Sequence, residues 1–90
     1  MKAEQKEIFR LAVLRVFDAN RTRFGLGIEG ARHLAGLFGF VFPDRDETGE
    51  AIDYLARKQL IEEVTKRISP ENRAWRITSE GIAFLDDQGL

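Results

Sequence analysis

Residues 42–61 read FPDRDETGEAIDYLARKQLI, a helix marked at both ends that runs straight into a strand. Pro43 precedes the start, Asp44 is placed to accept backbone N–H bonds as an N-cap, and Glu47 follows at capping-box spacing. At about 100° per residue, Thr48, Ala51, Ile52 and Leu55 share one face, while Gly49, Glu50, Asp53 and Arg57 share the other. Arg57 and Lys58 fall in the last turn, where the helix dipole favours cations. Leu60 and Ile61 then begin a strand.

Downstream, residues 62–68 alternate, with Val64 and Ile68 on one side and Thr65 and Arg67 on the other. Ser69-Pro70-Glu71-Asn72 has turn composition, and residues 73–77 return with Trp75 and Ile77 in alternation. A β-hairpin follows from these two runs. Thr78 is placed to cap a last helix over residues 79–87, which buries Ile82, Phe84 or Leu85.

Upstream, the spacing predicts a first helix over residues 3–19. Ile8, Phe9, Ala12, Val13, Val16 and Phe17 cover about half of its circumference, wider than a surface helix needs. Leu11 and Leu14 fall on the opposite side, beside Glu4, Glu7, Arg15 and Asp18. Either a later segment folds over these two leucines, or they form a homodimer interface. The run NRTRFGLG, residues 20–27, is a loop whose end at Leu26–Ile28 can add a short strand beside the hairpin. A second helix over residues 28–38 turns Ile28, Ala31, Leu34, Ala35 and Phe38 to one face and Glu29, Arg32, His33 and Gly36 to the other. The connector GFVFP, residues 39–43, is apolar for a surface turn, and Phe40, Val41 and Phe42 are expected to plug the core.

Ninety residues make one small domain, expected to span residues 1–90. Seven Phe in a chain 43% hydrophobic supply material for a core, although a domain of this size is only modestly stable. The chain has no cysteine, so disulfides and thiolate metal sites are excluded, and a reducing cytoplasm is the expected setting. The opening MKAEQKEIF lacks the basic-then-apolar pattern of a signal peptide, and no run has the length of a membrane span. Fourteen basic and fifteen acidic side chains give a net charge of −1, without the basic excess typical of a nucleic-acid binder.

The expected class is α+β, mainly α: three helices, a hairpin and a short C-terminal helix. That order resembles a winged helix-turn-helix, a three-helix core with a β-hairpin wing, in which the third helix holds the recognition position. AIDYLARKQLIEEV is similar to the family's passage from recognition helix to wing, with a leucine and a basic pair before a Leu-Ile step. WRITSEGIAFL is similar to the second wing strand and its Thr-capped helix, as in many bacterial and phage regulators of this class. The chain also resembles small winged-helix proteins of Mu-like phages and prophages, which share the apolar connector. The resemblance covers most of the chain and implies transcriptional regulation through double-stranded DNA. One departure is Gln59, where the family usually places glycine; Gln59 then takes a left-handed conformation at about 1 kcal/mol, or the junction has another shape.

In such a fold the N-terminal part of the third helix enters the major groove. Arg45 is suited to guanine, Glu50 or Asp53 to cytosine, and Thr48 to a cap or a phosphate. Arg57 and Lys58 at the helix end, with Lys66, Arg67, Arg73 and Arg76 along the hairpin, are the candidate backbone contacts. Against them stand Asp44, Asp46, Glu47, Glu50 and Asp53, which repel phosphate. An acidic third helix favours the competing class, a protein-interaction module with a partner on that helix. Catalysis is not expected: the lone histidine, His33, sits on a polar face, and no phosphate-binding loop or metal-ligand spacing occurs, so neither cofactor nor metal is implied.

Overall fold

The protein is described by a computed structural model that covers residues 2–21, 25–36, 44–64 and 73–88. Among the described residues, four helices and one hairpin follow in the order α1 (Ala3–Ala19), α2 (Ile28–Ala35), α3 (Arg45–Arg57), β1 (Ile61–Glu63), β2 (Trp75–Ile77) and α4 (Ser79–Asp87). The class is α+β and mainly helical. The apolar connector 39–43, with Phe40, Val41 and Phe42, and the turn 69–72 lie outside the described residues, as does Phe38.

Helix α1 is the hub. Phe9, Ala12, Val13, Leu14, Val16 and Phe17 are all buried along it, and it packs against α2, α3, β2 and α4. Leu14 has no exposed surface and joins Leu55 and Leu85 in the core, which corrects its expected place at a dimer interface. A helical wheel puts Leu14 opposite the main stripe, but α4 also packs against α1, and Leu14 is buried although it lies off that stripe. Leu11 is half-buried and packed against the same core. Ile8 departs the other way: expected on the buried stripe, it is 59% exposed.

Helix α3 starts where expected, with the Asp44 side chain accepting from the Asp46 N–H at 3.2 Å. Ala51, Ile52 and Leu55 face the core, each at most 2% exposed. Its end is a Schellman motif: Leu60 N donates to Leu55 O and Gln59 N to Ala56 O, both at 3.0 Å. Closing that motif requires a left-handed residue, and Gln59 supplies it at φ 62°. Of the two alternatives for this junction, Gln59 takes the left-handed one, at about 1 kcal/mol of Cβ conflict.

The hairpin is antiparallel, with Ile61 opposite Ile77, Glu62 opposite Arg76 and Glu63 opposite Trp75. Ile61 and Trp75 turn inward, and Glu62 and Arg76 turn outward. The short strand expected near Leu26 is a single bridged residue, whose N–H and C=O exchange 2.8 Å bonds with Trp75. Gly25 permits this approach: at φ 76° it brings the chain so close that a Cβ there would lie 2.6 Å from the Trp75 carbonyl oxygen. Thr78 fastens α4 to the α3–β1 junction. Its hydroxyl donates to Gln59 O at 2.7 Å and accepts from the Gly81 N–H at 3.0 Å, and its own N–H donates to Leu60 O at 3.0 Å.

Candidate functional site

The outward surface of α3 is set by what its inner face must bury. With Ala51, Ile52 and Leu55 turned inward, Arg45, Asp46, Asp53 and Arg57 are left exposed. Thr48 is not among them. It has no exposed surface, and its hydroxyl donates to Asp44 O at 2.9 Å, which corrects its expected availability to phosphate. Position 48 lies one turn before Ile52, so the periodicity that buries Ile52 buries Thr48, and the bond to Asp44 satisfies its polar group.

Glu50 is drawn toward α1 instead of standing free for a base. Lys6 Nζ lies 3.6 Å from its Oε1, and Arg10 Nη2 lies 3.3 Å from the same atom. Arg10 also stacks on Tyr54, its guanidinium carbon 3.9 Å from the ring centroid, with Lys58 Nζ 5.7 Å from that centroid. Lys58 thus leans over the α1 side of α3, away from Arg45 at the other end. Arg45 Nε lies 3.6 Å from Glu29 Oε1 on α2, and Arg57 Nε reaches back to Asp53 O at 3.4 Å.

The hairpin cations are similarly engaged. Arg73 makes a two-pronged pair with Glu63, Nη2 to Oε1 at 3.0 Å and Nε to Oε2 at 3.1 Å, and its guanidinium carbon stands 5.0 Å from the Trp75 ring centroid. The hydrogen bonds to Glu63, then that carboxylate's charge, raise the Arg73 pKa further, so it is a cation at any working pH. Arg76 Nε bonds Glu62 Oε1 at 2.9 Å, directly across the ladder. Lys66 and Arg67 lie outside the described residues.

No family model matches the chain, and no curated protein matches it.

The arrangement offers a mixed-charge surface. His33 is exposed on α2, and among the described residues no group of three or more His, Asp or Glu side chains can hold a metal. Among them also, no helix is long and apolar enough to cross a membrane. Of the expected contact residues, Arg45, Arg57, Lys58, Arg73 and Arg76 are all exposed, but Arg45, Arg73 and Arg76 each meet a carboxylate. Exposed pairs of this kind are worth about 0–1 kcal/mol, little enough for a phosphate to displace the acid. Sequence reasoning missed the Arg10–Tyr54–Lys58 stack. Tyr54 and Lys58 share an i,i+4 spacing at the end of α3, but Arg10 comes from α1, so only the packing of α1 on α3 completes it.

Proposed function

We propose that this chain is a winged helix-turn-helix domain that binds duplex DNA and acts as a small transcriptional regulator. The observation that carries the reading is the delivery of α3. Its inner face is fixed against the core, its outer face is open, and its Schellman end leads without a linker into a hairpin strapped to Leu26. Such a helix suits the major groove, with Arg45 toward guanine and Asp53 toward cytosine, while the hairpin follows the phosphates.

A second reading, a protein-interaction module, draws on a different observation. The acids of α3 stay in place, and Arg45, Arg73 and Arg76 are each satisfied within the chain. Every phosphate contact by these arginines must displace a carboxylate, so DNA affinity should be modest and strongly salt-dependent.

Fluorescence anisotropy with a mixed-sequence duplex separates the two. On the DNA reading, binding at low salt falls steeply towards physiological ionic strength. Replacing Lys66, Arg67 and Arg73 together by Ala then flattens the log–log salt slope by about 0.9 for each phosphate no longer neutralised. Absence of binding at low salt removes DNA from the function and leaves the protein-interaction module. Binding with an unchanged slope in the triple variant removes the wing and confines the interaction to α3.

A further inference from the structure

Ile8 and Phe84 are the large hydrophobic residues left exposed among the described residues, at 59% and 39%. They come from opposite ends of the chain, yet both line one groove of about 660 Å³. Leu14 and Leu55, in the core, lie at its base, with Leu11 and Leu60 half-buried along it. Two isolated apolar residues on a surface need no explanation, but two that converge on one apolar trough do.

The charges on this groove identify its occupant. Glu7 lies on the α1 wall and Lys58, 5.7 Å from the Tyr54 ring centroid, on the α3 wall; both are exposed without an ion-pair partner among the described residues, whereas Arg10, also in the lining, is paired with Glu50. A two-fold interface must be its own complement: whatever projects from one copy must meet its recess and opposite charge on the same patch of the other. This patch holds such a set, with Ile8 as the projection, the Leu11–Leu60 trough as the recess, and Glu7 and Lys58 as acid and base.

We propose that the groove between α1, the end of α3 and α4 is the seat of a second copy of this chain. Ile8 of each protomer enters the other's trough beside Phe84, and each Glu7 meets the other's Lys58. The seat belongs to Ile8, Leu11 and Phe84, with Leu14 beneath it as core. Ile8, Leu11 and Phe84 lie off the outer face of α3 and off the hairpin, so the seat is separable from DNA binding at those residues, and Lys58 is the one position it shares with the candidate backbone contacts.

Sedimentation equilibrium on the full chain tests it. The wild type is expected to dimerise, and Ile8→Glu to raise the dimer Kd by at least about 10-fold, as expected for losing a buried isoleucine. Position 8 is mostly exposed in the protomer, so that variant should melt like the wild type at concentrations low enough for both to be monomeric. Glu7→Lys and Lys58→Glu should each weaken the dimer by setting like charges opposite each other twice, and the combined swap should restore it. A wild type that stays monomeric to about 1 mM, far above the nanomolar-to-micromolar range of specific association, overturns the proposal and leaves the groove to a helix of another protein. A combined swap no better than either single change overturns the two-fold pairing.

Discussion

Leu14→Ala is expected to lower the unfolding free energy by about 2–5 kcal/mol, the range for truncating a fully buried leucine. Leu14 has no exposed surface and sits among Leu55, Leu85 and Val13 in the core. Removing its isobutyl group leaves a void that α1 cannot close, because α3 and α4 hold it from two sides. A domain of this size has about 5–15 kcal/mol in total, so the upper end of the loss approaches unfolding. Urea denaturation followed by circular dichroism measures it. Ile8→Ala is the matched control, and at 59% exposure it should cost far less. Equal losses at the two positions would mean that α4 does not cover Leu14 in solution. The double charge change Leu11→Glu with Leu14→Glu, which a pure surface interface would tolerate, is expected to unfold the chain for the same reason.

Gly81→Ala is expected to destabilise by about 1–3 kcal/mol through overpacking. A Cβ at position 81 would clash with the Leu60 carbonyl oxygen and lie 2.7 Å from Ile77 Cγ1. Neither neighbour yields readily. The Leu60 carbonyl already accepts from Thr78 N, and moving it strains the Schellman end of α3. Gly36→Ala supplies the contrast: at φ −59° and ψ −28° its backbone is helical, and among the described residues a Cβ there meets nothing within 4 Å. That change should be neutral or stabilise by up to about 1 kcal/mol, because alanine reduces the freedom of the unfolded chain. Differential melting of the two variants checks both signs, and a Gly81→Ala protein as stable as the wild type would show that α4 shifts at no cost.

The local grammar of this chain is readable because it is written in neighbouring residues. The span of α1, the Asp44 and Thr78 caps and the buried face of α3 all follow from spacing and side-chain chemistry. The left-handed Gln59 is one of two alternatives open from the sequence, and the Schellman hydrogen bonds decide it. The failures share a different cause. Ile8 departs from the wheel, and the covering of Leu14 is one of two alternatives open from the sequence, because burial depends on which helices surround α1, and α4 is more than fifty residues away in sequence. Thr48 reads both as an inner-face residue and as a phosphate ligand, and only the first agrees with its burial. Pairing of Arg76 with Glu62 needs the hairpin register, whereas the reach of Arg10 to Glu50 needs the tertiary packing of α1 on α3. Patterns of charge along the chain therefore overstate how many cations stand free at the candidate surface.

The chain contains one tryptophan, and its place gives the molecule a built-in optical probe. Trp75 is 6% exposed, joins the hydrophobic core, exchanges backbone bonds with Leu26, and lies beneath the Arg73 guanidinium. Its indole therefore has two distinct surroundings, an apolar one shared with α1 and a cation held over it by Glu63. Loss of the core immerses the ring in water, whereas withdrawal of Arg73 alters only the charge above it. Emission from this single residue can thus separate unfolding from a rearrangement of the hairpin surface, without a label and in the unmodified protein.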